Sequence, residues 1–322
     1  MVSTKDLYKK LCETEGDRIP LFLQYWWMET VCRGKQWDVA LAYSKDGSVI
    51  GALPYLLGSK FGLRYIVQPQ LTQYNGPWYH YPERLNMRKK LQFQYDVDKQ
   101  LISHLKGLRL AFFSQSFAPE ATNWLPYHWD GYRQSTRYSY RYEDLSDTAK
   151  LLDGMSPKDR RGKIVSLMPN LNVVTTVTPD RFAAMVDDYW EGQGKKCLLQ
   201  RDFVQSVCES ALQHGHGLIV GLEDKETGLM KGAAFAIYDS RCAYSLMSAF
   251  DRNYGTAGIS ECLFWALIQT LSSRTKAFDF EGSMDREIEY YYRSFGATPI
   301  AYHHIWKINN PLLKPYLERR GI

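Results

Sequence analysis

The chain has 322 residues, a formal net charge of +5 and 45% hydrophobic residues. This length is sufficient for two domains and the apolar content for full cores, which excludes an intrinsically disordered chain. The modest positive charge permits an anionic ligand but does not indicate nucleic-acid binding, so we expect no DNA partner.

Cysteines and histidines give no sign of a metal or redox site. The six cysteines form no Cys-x-x-Cys pair, and His214, His216 and His303-His304 have no thiol or carboxylate at ligand spacing, so we expect no metal. Scattered cysteines are typical of buried thiols in a reducing compartment. The first apolar run, 19–27, is too short to span a bilayer, and no signal segment is recognisable. These features predict a cytoplasmic protein without a membrane span.

The first half of the sequence predicts helices followed by a strand hairpin. Apolar periodicity and turn residues indicate helices over 4–14, 20–33 and 89–105, and strands over 37–43, 49–57, 64–67, 108–113 and 138–143. Lys45-Asp46-Gly47 is the hairpin turn between the first two strands, and residues 69–77 form an irregular loop.

The second half repeats this order of elements. Its pattern predicts strands over 218–223, 231–238 and 243–250, a loop over 251–258 and a helix over 259–271. A Leu-Ile pair before Ala-Phe-Phe in 101–113 returns as Leu-Ile before Ala-Phe-Asp in 267–279. We therefore predict two copies of one α/β unit, residues 1–147 and 148–322, each a mixed, mostly antiparallel sheet flanked by helices. Coincidence between two ordinary hairpins is the alternative.

The C-terminal stretch predicts a strand, a short helix and a last strand over 300–308. Residues 278–281 alternate apolar and acidic side chains, and Gly282 ends that strand. Ser283 is the predicted N-cap of the helix, with Glu287 near the capping-box position.

The same stretch places three reactive side chains close together. Asp279 and Glu281 are predicted on one face of their strand, because side chains two residues apart share a face. The helix that follows carries Tyr292 and ends at Gly296, which suits a left-handed C-cap.

This stretch resembles the GNAT acyltransferases, and more closely their Fem-like and BioF2-like relatives. GNAT proteins end in a strand, a helix with Tyr-x-x-x-Gly and a last strand, and Tyr292 and Gly296 have that spacing. Asp-Phe-Glu-Gly-Ser-Met at 279–284, followed by Tyr-Arg-Ser-Phe-Gly-Ala at 292–297, is similar to the signature of the Fem-like branch. That branch includes the aminoacyltransferases that build peptidoglycan cross-bridges. The resemblance implies tandem GNAT-like halves over nearly the whole chain.

A second GNAT-like motif precedes the helix over 259–271. GNAT proteins carry [Gln/Arg]-x-x-Gly-x-[Gly/Ala] here, which this sequence matches with Arg252, Gly255 and Ala257, and the same loop contains Thr256 and Gly258. Unpaired N–H groups at a helix N-terminus bind anions, and glycine allows close approach. The resemblance implies that the anion is the pyrophosphate of acyl-CoA, such as acetyl-CoA. An ordinary strand-to-helix turn is the alternative.

The first half lacks this motif. Its corresponding loop, 70–77, contains Pro77, which removes an N–H group where phosphate binding needs one. We therefore expect the acyl donor in the C-terminal half only, while the first half, with Trp78, Tyr79 and Tyr81, shapes an acceptor cleft.

Acyl transfer to an amine needs a base, a donor to the oxyanion and an acid for the leaving thiolate. The resemblance implies that Tyr292 is the acid. Glu281, with Asp279 beside it, is the candidate base or amine anchor, and a salt bridge to Arg286 is its structural alternative. The basic run 156–163 is either a solvated face or a contact for an anionic nucleotide-linked or cell-wall precursor.

These features predict an N-acyltransferase that moves an acyl group from acyl-CoA to a small-molecule or peptide amine held between the two halves. One alternative is a Fem-type aminoacyltransferase that uses aminoacyl-tRNA on a cell-wall precursor. The other is a non-catalytic binding module on a GNAT scaffold.

Overall fold

The computed structural model describes residues 3–194, 197–251 and 258–315 of the chain. Contacts divide the chain into two compact units: Met1–Arg137 with Ala301–Ile322, and Tyr138–Ile300. The sequence predicted a single division after residue 147. In the structure the last strand clusters with the first unit, so that the first unit is assembled from both ends of the chain.

Up to residue 129, the described residues of the first unit form four α-helices and five strands. These elements are α1 (Thr4–Glu15), α2 (Tyr25–Val31), β1 (Gln36–Tyr43), β2 (Val49–Lys60), β3 (Leu63–Val67), β4 (Trp78–Tyr79), α3 (Met87–Gly107), β5 (Phe112–Ser116) and α4 (Leu125–Trp129). Strand β6 (Arg133–Tyr142) follows, and its residues 138–142 belong to the second unit.

The second unit continues from there. Its elements are α5 (Thr148–Asp153), α6 (Gly162–Leu167), β7 (Leu171–Val174), α7 (Pro179–Glu191), α8 (Arg201–Gln213), β8 (Gly217–Asp224), β9 (Met230–Tyr238), β10 (Cys242–Phe250), α9 (Ile259–Leu271), β11 (Ala277–Asp279) and α10 (Arg286–Arg293). Strand β12 (Thr298–Ile308) closes the series, and its residues 301–308 lie in the first unit.

The two units have the same pattern of strand pairing. In the first, the order is β1-β2-β3-β5-β12, with antiparallel pairs except for the parallel pair of β3 and β5. In the second, β8-β9-β10-β11-β6 repeats this order, the parallel pair being β10 and β11, and β7 adds to β8. Each parallel pair is connected through a helix, α3 or α9. The predicted fold class, a duplicated mixed α/β unit, is confirmed.

In each unit one helix buries an apolar face against the strands. On α3, Val97, Leu101 and Leu105 recur every four residues and are buried against the strands of the first unit. Helix α9 is buried almost all round, with Phe264 and Leu267 in the core of the second unit. Complete burial of a side chain of this size stabilises the fold by about 1.5–3 kcal/mol.

Three predicted boundaries were wrong for local reasons. The helix expected over 20–33 is a short 3-10 turn followed by α2, because Gln24 has an extended backbone and its side-chain amide donates to Gly16 O and Ile19 O. The strand expected from residue 108 begins at Phe112, after Arg109 at φ +51°. The N-cap of α10 is Asp285 rather than Ser283, because its carboxylate accepts from the N–H groups of Glu287 and Ile288 in the first turn.

Candidate active site

The site begins where β10 and β11 separate. Their parallel ladder covers Cys242–Tyr244 and Ala277–Asp279, after which the Phe280 N–H donates to Tyr140 O on the other neighbouring strand, 2.9 Å away. On β10 the register against β9 skips Leu246, which forms a β-bulge. A bulge bends its strand, leaves the extra residue outside the ladder and is common next to active sites. The sequence pattern gave no sign of it.

Asp279 is fully buried and its carboxylate is fully engaged. Arg141 donates to Oδ2 through Nε at 3.2 Å and Nη2 at 3.1 Å, and the Ser139 hydroxyl donates to Oδ1. The Glu281 N–H also donates to Oδ1, at 2.8 Å. These four donors occupy about as many hydrogen bonds as the two oxygens of a carboxylate can accept. Asp279 therefore positions the turn that carries Glu281.

Glu281 lies in a left-handed turn rather than in the strand. Its φ is +56°, and β11 ends two residues earlier, so the predicted common strand face of Asp279 and Glu281 was wrong. Two hydrogen bonds fix the turn. The Glu281 N–H donates to Asp279 Oδ1, and the Gly282 N–H donates to Ser139 Oγ at 3.0 Å. A Cβ on Gly282 would lie 2.5 Å from Ser139 Cα. A left-handed backbone at a glutamate costs about 1–3 kcal/mol and is concentrated at functional sites.

The Glu281 carboxyl group is the unusual feature of this turn. Its Oε1 is buried without a hydrogen-bond partner among the described residues, and the salt bridge to Arg286 that was the structural alternative is not formed there. Burial, and then the charge of Asp279, raises the pKa of Glu281 well above its ordinary value. A strained residue with an unpaired, poorly acidic carboxyl group has the properties of a general base.

Tyr292 is brought to the same place by α10. Its ring packs against Phe264 and Phe280, with ring centres 6.0 and 5.6 Å apart. Burial, followed by the charges of Glu281 and Asp279, raises the pKa of Tyr292 to about 12. The phenol is therefore protonated at neutral pH and can donate a proton. All three predicted catalytic residues lie within electrostatic range of one another.

Within the basic run 156–163, Arg160 is neither exposed to solvent nor free to bind a ligand. That side chain is buried, donates to Glu261 Oε1 at 2.9 Å and lies over the Tyr291 ring at 4.0 Å. Lys163 reaches the same Glu261 oxygen at 2.8 Å, and its side chain is 40% exposed. The interpretation of the run as a solvated face was therefore wrong for Arg160. These contacts fix α6 and α10 to the first turn of α9.

Most of the predicted coenzyme A loop lies outside the described residues: Arg252, Gly255, Thr256 and Ala257. Gly258, the last residue of the motif, is described. It caps α9 with φ +97°, and a Cβ there would lie 2.4 Å from Leu167 Cδ1, so glycine is required by both conformation and space. Asp251, just before the loop, lines an open cavity of about 490 Å³ together with Tyr189, Met230 and Phe250.

The corresponding place in the first unit is filled by the chain itself. Gln115 occupies the repeat position of Glu281 and donates to Asn75 Oδ1 at 2.7 Å and Pro54 O at 3.1 Å. The Asn75 N–H donates to Ser116 O at 2.6 Å, which seats the loop 69–77 against β5. The Oε1 of Gln115 is also buried without a partner in the described structure. A neutral amide cannot accept a proton from an amine, so Gln115 cannot act as the base at this position.

Neither a metal-binding cluster nor a membrane-spanning helix is found in the described ranges 3–194, 197–251 and 258–315. They contain no group of three or more His, Cys, Asp or Glu residues able to hold a metal ion. Within the same ranges, no helix has the length and apolar character needed to cross a membrane.

Comparisons with known proteins agree with this fold. Residues 158–290 match the family model of the GNAT acetyltransferase domain, whereas no curated protein matches the chain. The crystal structure of FemX is similar with a TM-score of 0.70 at 11% sequence identity, covering 98% of this chain and 98% of that one. The C-terminal domain of a putative lysylphosphatidylglycerol synthetase from Agrobacterium fabrum follows at 0.60 and 13%, covering 94% and 92%. A tandem GNAT protein from the clavulanic acid biosynthesis pathway gives 0.51 and 14%, with the same coverage. The predicted resemblance is confirmed.

Proposed function

The second unit carries a GNAT acetyltransferase domain over residues 158–290, and from this premise we propose that the protein transfers an acyl group from acyl-CoA to an amine. The observation that carries the proposal is the Glu281 carboxyl group, which is strained, unpaired and poorly acidic beside a protonated Tyr292. GNAT acetyltransferase domains act on amines with acyl thioesters, and this pair provides the base and the acid of that reaction.

The reaction proceeds in three steps. Glu281 accepts a proton from the bound ammonium group, which frees the nitrogen lone pair. The amine nitrogen then attacks the thioester carbonyl carbon, and a C–N bond forms while the oxygen becomes an oxyanion. The backbone N–H groups beside the Leu246 bulge supply its hydrogen-bond donors. The intermediate collapses, the C–S bond breaks, and Tyr292 protonates the departing thiolate to give free coenzyme A. The nitrogen then loses its remaining extra proton to the Tyr292 phenolate, which gives a neutral amide and restores the phenol.

The donor site belongs to the C-terminal unit in this proposal. Gly258 and the residues before it, Arg252 to Ala257, receive the pyrophosphate at the N-terminus of α9. In the first unit the corresponding place is occupied by Gln115 and Asn75, which supports a single donor site. The acceptor is a small-molecule or peptide amine, including an anionic cell-wall or nucleotide-linked precursor.

A release assay for free thiol tests the proposal directly. Acetyl-CoA and longer acyl-CoAs are offered with a panel of primary amines, lysine peptides and nucleotide-linked peptide precursors. We expect turnover by the parent protein and about a 100-fold loss or more in Glu281→Gln, since a positioned base contributes at least that factor. Glu287→Gln, an exposed carboxylate in the first turn of α10, is the matched control and keeps full activity.

Other outcomes would change the assignment. Turnover only with aminoacyl-tRNA would assign the protein to Fem-type aminoacyl transfer, in which the same Glu281 and Tyr292 would act on an ester donor. Binding of acyl-CoA without turnover on any acceptor, unchanged in Glu281→Gln, would indicate a binding module and contradict the proposal.

A further inference from the structure

Helices α3 and α4 of the first unit expose a row of large apolar side chains. Met87, Leu91 and Tyr95 recur every four residues along α3, and are 69%, 44% and 37% exposed. On α4, Leu125 and Trp129 are also four residues apart, at 47% and 65%. We call these five residues the α3–α4 patch. The opposite face of α3 is buried in the core and holds the helix in place. The patch is therefore not needed for that purpose.

The patch is continuous and borders basic residues. The Tyr95 and Trp129 rings are in edge contact, with centres 5.9 Å apart, which joins the two helices. Exposed Arg84, Arg88 and Lys89 lie at the N-terminal end of the row. The segment 83–96 contains four basic residues and two exposed acids, Glu83 and Asp96, so it carries excess positive charge.

From this combination we propose that the α3–α4 patch docks on the surface of an anionic phospholipid bilayer. A helix lying flat in a membrane interface presents an apolar row to the acyl boundary and basic residues to the headgroups. Tryptophan and tyrosine favour that interface because their rings are apolar at one end and polar at the other. Each lysine or arginine near an anionic surface strengthens binding roughly fivefold.

The shape and charge of the patch favour a bilayer over a second copy of the chain. A second copy of the chain would present the same excess of positive charge to this face, which opposes that contact, whereas an anionic surface attracts it. Met87 and Trp129 are 69% and 65% exposed, and the groove of about 490 Å³ that Trp129 lines between the helices is open. Projecting, flexible or amphipathic side chains are suited to insertion into a fluid surface.

Vesicle flotation of the full-length protein tests this proposal, with phosphatidylcholine vesicles and with vesicles that also contain phosphatidylglycerol. We expect flotation with the anionic vesicles only, and loss of binding at high salt. Met87→Ser with Trp129→Ser lowers the partition coefficient at least tenfold, while Phe61→Ser, an aromatic that is 91% exposed elsewhere in the unit, leaves it unchanged. Arg88→Glu with Lys89→Glu lowers it by a similar factor, whereas Lys9→Glu with Lys10→Glu on α1 alters the net charge equally and has little effect.

Three results would overturn the proposal. One is that the parent protein does not float with either vesicle. Another is that the patch variants float as the parent does. The third is a dimer in sedimentation velocity that is lost in the Met87→Ser, Trp129→Ser variant without any vesicle binding, which would assign this face to a second copy of the chain.

Discussion

Neighbouring residues hold Glu281 in a conformation that is unfavourable in free energy. Its left-handed backbone and its unpaired, buried oxygen are both destabilising. Asp279 and Ser139 fix the turn by accepting from the N–H groups of Glu281 and Gly282, and a Cβ at Gly282 would lie 2.5 Å from Ser139 Cα. The result is a carboxyl group kept in a geometry it would not adopt alone, beside a tyrosine with a raised pKa.

The pH dependence of kcat/KM should report the Glu281 carboxyl group. A base acts only when it is deprotonated, so activity falls as the pH drops through its pKa. Because that pKa lies well above the ordinary value for glutamate, the acid limb lies at a higher pH than for an exposed carboxylate. In Glu281→Gln the remaining activity loses this limb. An unchanged limb in the variant would assign the titration to another group.

Replacement of Tyr292 by Phe should separate acid catalysis from binding. The phenol stays protonated below its pKa of about 12, so it supplies a proton throughout the neutral range. We expect kcat to fall about 100-fold, with little change in the KM for acyl-CoA, because the ring and its packing are retained. Tyr290→Phe on the same helix, which loses a bond to Asp159, is the control. Equal kcat values for the two variants would exclude Tyr292 as the acid.

At the scale of elements, a buried carboxyl group connects α3 to β4. Asp98 is fully buried, Tyr79 donates to its two oxygens at 2.9 and 3.1 Å, and burial raises the pKa of Asp98 to about 8. The folded state therefore retains a proton that the unfolded chain releases near pH 3.8. The stabilisation from this retained proton is complete below pH 3.8. It is lost as the pH rises toward 8, and the free energy of unfolding falls by about 1.4 kcal/mol per pH unit.

Asp98→Asn should remove this slope. The amide is neutral at every pH and can still accept a hydrogen bond from Tyr79. Urea unfolding between pH 5 and 8 is the measurement, and the difference in unfolding free energy between variant and parent grows in favour of the variant as the pH rises. A constant difference over that range would show that Asp98 is ionised in the folded protein.

The sequence predicted elements better than it predicted their ends and partners. Helix α9 was predicted at its observed bounds, 259–271, because a long apolar run starts after a glycine. The left-handed turn at Glu281 could not be predicted, since Ser139, which fixes it, is 142 positions away in the chain. Glu261 was a missed signal. A lone acid inside an otherwise apolar helix needs a buried partner, and Arg160 supplies it.

In the whole molecule, the first unit includes strand β12 from the C-terminal end of the chain. This requirement determines which truncated chains can fold. Residues 304–308 of β12 pair with β5, and Ile305 is fully buried in the core of the first unit. We expect a chain cut after residue 300 to unfold at a much lower urea concentration and to become sensitive to protease within residues 1–137. A chain cut after residue 310 keeps the strand and behaves as the parent. Equal stability of the two truncated chains would contradict this division.

We propose that the C-terminal unit binds an acyl-CoA donor for transfer at the Glu281–Tyr292 site. Native mass spectrometry of the full chain with acetyl-CoA, longer acyl-CoAs and free coenzyme A tests it most directly. We predict one bound coenzyme per chain, lost in Arg252→Glu and retained in Glu281→Gln, because the first change reverses a charge in the donor loop and the second removes only the base. No bound coenzyme at any concentration, or equal binding by Arg252→Glu, would contradict the account.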